Sequence, residues 1–554
     1  MKGVITLTTL TTDYLKNSTE FEKIGIKVPT YDQAALQTAT ASHPRWVHFG
    51  GGNLFRAFHA AIAQRLIEAG ELDSGIIVGE TYDEQVVTDV YRPRNNRILR
   101  VITKENGDFD KELIASVAAA YFVNPSAAED WAKMQAIFQA ASLQVVTFSI
   151  TEKGYNLKTP AGDLNQLTLN DIENGPAKPV GNMAGLVSLL LGRFKNGAQP
   201  LTLLSTDNFS QNGDRLKDSV LTIANGWLKN GFVDQAFLDY LQDKHQISFP
   251  LSMIDRITPN PAEKVGAQLK ASGFDDADII HTAKHTNIAA FTNSEASHYL
   301  VVEDEFPNGR PHFETAGVIM TNRATVNDAD QMKVTTCLNP LHTALAIFGS
   351  VLGYHSIADE MQNQDLVALI KQIGYVEGLP VVTDPKVINP KAFIDQLITK
   401  RLPNPFMPDT PQRIATDTSQ KMAIRYGVTI KQYLADENRD PVTLTFIPLT
   451  IAAWLRYLLG VNDDGEAFTP SPDPMMDYLQ TQVAGLTYGS QNSPQNVHVN
   501  IKNLLSNESI FGVDLYAVGL GKKIEDDLAQ MLTGQGAVAK TLATVLASDA
   551  QPVA

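Results

Sequence analysis

The chain has 554 residues, 44% of them hydrophobic and 19% charged, an ordinary globular composition and enough to bury large cores in two or three domains. A formal net charge of −16 argues against a nucleic-acid surface, which needs a basic excess, but leaves room for a few cations in a pocket for a small anion. The single cysteine, Cys337, excludes an internal disulfide and a thiolate zinc cluster, and fits a reducing, cytoplasmic setting.

The first residues lack the apolar core of a secretory signal. The apolar run 449–459 contains Trp454 and Arg456 and falls short of the ~20 residues that cross a bilayer. No membrane partner is therefore expected. The residues before Arg45 read as a polar arm without a clear period. A strand is predicted at 45–49, followed by Gly50, Gly51 and Gly52. A helix over 53–69 puts Leu54, Phe55, Phe58, Ile62 and Leu66 on one face, and Gly70 stops it. With a second strand at 75–78 this makes one βαβ unit.

Asn106-Gly107, between apolar runs at 98–102 and 113–114, predicts a hairpin inserted on the sheet. Strands at 143–151 and 201–205 alternate with helices at 183–194 and 214–227. This alternation predicts an α/β fold with a doubly wound sheet through residue 290. A strand-rich stretch follows at 298–302, with a turn at Pro307-Asn308-Gly309. Beyond residue 326 helical patterns dominate, with loops at 385–390, 402–411 and 468–474.

The turn Gly50-Gly51-Gly52-Asn53-Leu54-Phe55-Arg56 follows a strand and opens a helix, as a dinucleotide loop does. Glycines let the backbone approach a pyrophosphate, and the helix N-terminus offers free N–H groups. Gly50 and Gly52 hold the first two fingerprint positions, and Phe55 breaks the third. The cofactor contacts expected here are Gly50, Gly52, Asn53, Leu54, Phe55 and Arg56; a plain strand-to-helix turn is the alternative. Glu80, or Asp83 near it, is expected to bind a ribose 2′-hydroxyl, favouring NAD over NADP, with an exposed loop carboxylate as the alternative.

The segment Trp46–His59, WVHFGGGNLFRAFH, resembles the opening of the mannitol dehydrogenase and fructuronate reductase family, the polyol-specific long-chain dehydrogenases. Further segments agree in the same order: Thr151-Glu152-Lys153-Gly154-Tyr155, Ser205-Thr206-Asp207-Asn208, Ser252 to Pro259, Val302 to Pro311, Lys333 with Asn339 and His342, and Ala452 to Leu458. The resemblance spans residues 45–465. It implies a Rossmann-type dinucleotide-binding domain with strand insertions (1–325, arm included), an all-α substrate domain (326–554), an active site between them and no catalytic metal.

The resemblance also implies a lysine general acid/base in a K-x4-N-x2-H motif. Here Lys333 to Asn339 is one residue longer. Hydride transfer at a carbinol needs a group that moves the hydroxyl proton and donors that stabilise charge on the oxygen. Lys333 takes the first role; Asn208 and Asn339 supply amide donors. Asn339 also precedes Pro340 and so reads as a helix N-cap, with a helix break near Leu338 that absorbs the extra residue. His342 shares a helical face with Asn339 and would orient substrate. Asp255 would support the hydrogen-bond network or pair with Arg256. Arg413 and Lys421 match a substrate-contacting R-x7-K segment, which on a continuous helix would span roughly 12 Å and return to one face. The segments 336–345 and 510–516 resemble members acting on sugar acids, which implies NADH-linked reduction of D-fructuronate to D-mannonate. Mannitol, arabinitol or tagaturonate oxidoreduction is the alternative. A non-catalytic NAD-binding regulator would have lost the lysine or the asparagines, all of which are present. The sequence leaves the oligomeric state open.

Overall fold

A computed structural model describes residues 8–104, 106–159, 161–296, 298–406, 409–489 and 492–553. The chain forms two compact units, Met1–Asn327 and Asp328–Ala554.

The first unit is built on six parallel strands, β1 (Trp46–Phe49), β2 (Ile76–Glu80), β3 (Val117–Phe122), β4 (Val145–Phe148), β5 (Leu201–Ser205) and β6 (Ile247–Ser248). Their spatial order is β3-β2-β1-β4-β5-β6. The order reverses between β1 and β4, and open sheets of this kind bind ligands beyond the carboxyl ends at that reversal. The register aligns Phe49, Gly79, Phe148 and Ser205 in one row, so the segments after β1, β2, β4 and β5 emerge along one edge. Successive strand residues point to opposite faces. Val146 and Leu203 enter a core with Trp131, Leu190 and Trp227, while Val145 and Leu204 enter another with Ile62, Leu66 and Leu300. Burial on both faces explains why these strands read as continuous apolar runs.

Three expectations are corrected. The parallel sheet ends at Ser248, and Ser252–Asp255 opens a separate sheet, antiparallel to Tyr299–Glu303, which pairs with Ile319–Thr321. The hairpin of Ile98–Thr103 and Phe109–Ile114 forms, but in a sheet of its own with Ile26–Lys27 and Phe291–Ser294. The described part of the N-terminal arm is ordered structure, with helices Ser18–Lys23 and Gln33–Ser42 and buried Leu10, Tyr14 and Phe21. Its anchors are long-range: Arg97 donates to the carbonyls of Leu10 (2.9 Å) and Thr12 (2.8 Å), which no local period reveals.

Among the described residues the second unit has helices and turns and no strand. The helical stretch Arg323–Val351 is long and apolar enough to cross a membrane, yet 78% of its most apolar window is buried within the protein, as in a core helix. Helix Phe446–Tyr457 is buried along its whole length, with Arg456 donating to the carbonyls of Met531, Val461 and Asn462.

Candidate active site

The chain turns sharply after β1. Gly50 has φ +103°, and a Cβ there would lie 2.2 Å from the Ser149 carbonyl oxygen, so only glycine fits. The Gly51 N–H donates to Glu80 Oε2 (2.8 Å), and the Tyr91 hydroxyl donates to the Gly51 carbonyl (2.8 Å). A Cβ on Gly52 meets no protein atom within 4 Å. Packing does not require glycine at 52. The helix begins at Asn53 and widens into a π turn over Phe55–His59. Phe55 is fully buried and stacks on His48 with ring centroids 4.6 Å apart. The helix thus widens where a third glycine would let it close on the strand.

The side chains of Phe55 and Arg56 are buried, so a cofactor contact at these two positions would fall to their backbone. The Arg56 guanidinium is buried, donates to the carbonyls of Ala289 (2.5 Å) and Phe291 (3.4 Å), and is pushed down to about 10 by burial. Leu54 packs partly on the same core.

Glu80 is no exposed loop acid. Its Oε1 accepts from the N–H of Tyr82 (2.8 Å) and Asp83 (3.1 Å), and with Gly51 this takes three of about four acceptor sites. Burial pushes its carboxyl up while these amides oppose the shift. Asp83 is also buried and accepts from the Thr282 hydroxyl (2.5 Å) and the Gln85 N–H (3.1 Å), so it fastens the loop. Beside these groups, Phe49, Thr81, Val123, Asn124, Gly181 and Asn182 line part of a small surface recess.

Beyond β4, Thr151 has φ +62° and ψ 163°, a region almost reserved for glycine. Asp207 holds it there, accepting from the N–H of Ile150 (3.0 Å) and Thr151 (2.9 Å) and from the Tyr155 hydroxyl (2.6 Å). The segments 151–155 and 205–208 are therefore one bonded unit at the sheet edge. Asn208 follows Asp207 and is exposed. Asp255 ends its strand, buried, opposite Tyr299. The Arg256 guanidinium meets Ser294 Oγ (2.6 Å) and His298 Nδ1 (3.1 Å). Sequence reasoning missed a buried polar layer beneath this edge. His48 bonds Thr147 (2.6 Å) and Ser149 (2.7 Å), and His59 bonds Thr206 (2.8 Å). Burial pushes His48 well down and His59 to about 3, so both are neutral at pH 7.

In the second unit, Lys333 opens a π turn over Lys333–Cys337, closed by the Leu338 N–H on the Lys333 carbonyl (3.0 Å). A π turn holds one residue more than an α turn. The extra residue between Lys333 and Asn339 is absorbed there, together with a bend at Leu338 (φ −120°, ψ −64°). The Lys333 side chain is 4% exposed, its Nζ 3.7 Å from Asp330 Oδ1. Asn339 is not an N-cap: Leu338 occupies that position, and helix Asn339–Val351 starts at Asn339 with no side-chain cap. The half-buried Asn339 carboxamide has no hydrogen-bond partner among the described residues.

His342 Nε2 lies 3.6 Å from Asp409 Oδ2. Burial, with Arg401, Arg425 and Arg413 nearby, outweighs Asp409 and pushes the imidazole down to about 4, so the contact is not an ion pair at pH 7. Arg413 donates to Asp409 through Nε (2.7 Å) and a terminal nitrogen (2.6 Å). Asp409 was missed, although its i,i+4 spacing to Arg413 is a sequence signal. No continuous helix joins Arg413 to Lys421, so the same-face expectation is corrected. Asp417 takes φ +54° with its N–H on the Pro472 carbonyl, and Asp473 accepts from the Ser419 N–H (2.8 Å) and hydroxyl (2.6 Å). These tertiary bonds replace the helical ones. Lys421 donates to the Thr416 carbonyl and is pushed down by burial and then by Arg425. Cys337 is buried, its thiol pushed up to about 12 by burial. Among the described residues no group of three or more His, Cys, Asp or Glu side chains could hold a metal ion.

Family models described as the mannitol dehydrogenase Rossmann domain and the mannitol dehydrogenase C-terminal domain match residues 44–315 and 326–532. The chain is 47% identical over 542 residues to a D-mannonate oxidoreductase of Thermotoga maritima, covering 98% of this chain and 99% of the relative. It is 28% identical to a polyol:NADP oxidoreductase of Gluconobacter oxydans, covering 83% of this chain and 88% of the other. The fold matches that of Pseudomonas fluorescens mannitol 2-dehydrogenase, solved as a ternary complex with NAD and D-mannitol, at TM-score 0.68 and 23% identity over 98% of this chain and 100% of the other. With both units matched in order, the chain belongs to the mannitol dehydrogenase family.

Proposed function

We propose that this chain is an NADH-dependent oxidoreductase interconverting D-fructuronate and D-mannonate without a metal, with Lys333 as general acid/base. One observation carries the mechanism: the buried side chain of Lys333, on a widened helix turn that leads to the unbonded carboxamide of Asn339. The substrate pair follows from the name of the 47% identical relative, and a nicotinamide cofactor from the Rossmann domain.

When bound, the nicotinamide supplies hydride to the carbonyl carbon or takes it from the carbinol. The backbone of Gly50 to Asn53 would hold the pyrophosphate, with the open flank of Gly52 as the fit. The fourth acceptor site of Glu80 would take a ribose 2′-hydroxyl, and a 2′-phosphate beside that acid would be repelled, which favours NADH over NADPH. In reduction Lys333 donates a proton to the substrate oxygen; in oxidation it removes one. Asn339 and Asn208 donate N–H bonds to that oxygen as charge develops. Neutral His342 bonds a substrate hydroxyl, and Asp255 orders the surrounding bonds.

Lys333→Met tests this. Turnover of D-fructuronate, followed by NADH absorbance, should fall about 10²–10⁴-fold while NADH still binds. Unchanged turnover would remove Lys333 from the role. Turnover abolished by a chelator and restored by added metal would remove the metal-free mechanism.

A further inference from the structure

The first two turns of helix Asn339–Val351 carry His342 and then Thr343. The Thr343 hydroxyl donates to the Asn339 carbonyl (2.8 Å) and receives a hydrogen bond from the Arg425 guanidinium. Arg425 lies in a π turn over Ala423–Gly427, which is pinned to the same helix by the Tyr426 hydroxyl on the Pro340 carbonyl (2.8 Å). Arg425 is thus fixed one residue past His342 by two bonds from successive residues.

The charges around it do not cancel. Asp409 is matched by Arg413 at 2.6 Å. Asp473 is engaged by Ser419 and by the Met475 N–H, and Asp417 and Asp473 attract Lys421 only from beyond ion-pair distance. Lys421 donates to a carbonyl and Arg425 to a hydroxyl, and neither has a carboxylate within ion-pair distance among the described residues. Both are desolvated: burial pushes Lys421 down and Arg425 to about 10. Partly buried cations without a carboxylate in contact are costly, and guanidinium is shaped to bind a carboxylate through two parallel bonds. A polyol has no charge to offer such a group, whereas a keto-sugar acid carries a carboxylate at the far end of its chain from the reacting carbonyl.

We propose that Arg425, with Lys421 beside it, binds the carboxylate of the sugar-acid substrate and makes the enzyme select acids over neutral polyols. This rests on the sugar-acid reading above.

The test is steady-state kinetics of the full chain with D-fructuronate and D-fructose, each with NADH, for wild type, Arg425→Met and Arg425→Lys. A charge-assisted bond contributes enough that Arg425→Met should raise KM for D-fructuronate about 10–100-fold. NADH affinity and any D-fructose turnover should hold, and Arg425→Lys should recover part of the loss. Lost NADH binding in the Met variant would mark misfolding, and the KM of the Lys variant then decides: a rise for D-fructuronate alone supports the proposal, and an unchanged KM overturns it. An unchanged KM in a folded Met variant, or equal loss on both substrates, overturns the role of Arg425 while leaving the sugar-acid reading intact. A wild-type enzyme active on D-fructose but inactive on D-fructuronate overturns the reading itself, and Arg425 with it.

Discussion

At the residue scale the three glycines after β1 separate folding from binding. Gly50 is required by φ +103° and by the Ser149 carbonyl 2.2 Å from its missing Cβ. Gly50→Ala should destabilise the apo protein by about 1–3 kcal/mol in urea unfolding. Gly52 has open space where its Cβ would be, so Gly52→Ala should leave the unfolding midpoint nearly unchanged and weaken NADH binding severalfold in a fluorescence titration. Wild-type NADH affinity in Gly52→Ala would show that this loop holds no pyrophosphate. The glycines were legible because turn chemistry is local. The direction of Arg56 was not: its partners are carbonyls 233 and 235 residues away.

At the element scale the decisive features are π turns. They place Phe55, Lys333 and Arg425, and each looks like ordinary helix in sequence, because a widened turn has no residue signature of its own. The odd spacing between Lys333 and Asn339 was the one visible hint, and the structure attributes it to the turn itself. Deleting Val334 should let the turn close to α geometry and restore the family spacing with measurable turnover retained. Inserting an alanine after Val334 should rotate Lys333 by about 100° relative to Asn339 and abolish turnover. Equal loss in both variants, each shown folded by circular dichroism, would mean that the π turn does not set the lysine's phase. The stretch from Arg413 to Lys421 makes the converse point. Its spacing suits a helix, but Asp473 and the Pro472 carbonyl break it.

At the scale of the whole molecule, stability and pH are linked through Glu360. Neither of its oxygens meets a donor among the described residues, and the missing Cβ of Gly349 leaves room for the carboxyl. Burial first, then Asp409 and Asp359, push it up to about 9 from an ordinary 4.5. The folded chain therefore holds this proton where the unfolded chain releases it, so stability falls as pH rises from about 4.5 towards 9. Glu360→Gln should raise the urea midpoint relative to wild type at pH 8, by an amount that shrinks towards zero at pH 4.5. A difference independent of pH would show that Glu360 is ionised in the folded protein. The sequence by itself determined the alternation of strands and helices and the glycine turn, because periodicity and turn chemistry act between near neighbours; the lysine–asparagine–histidine set was legible only through the family resemblance. Only the tertiary structure decided that Glu80 grips the Gly51 amide, that the N-terminal arm is ordered, and that Arg425 stands beside His342. Each depends on a contact between distant residues, 82 apart for Arg425 and Thr343, where packing and desolvation decide the outcome and local pattern carries no record of it.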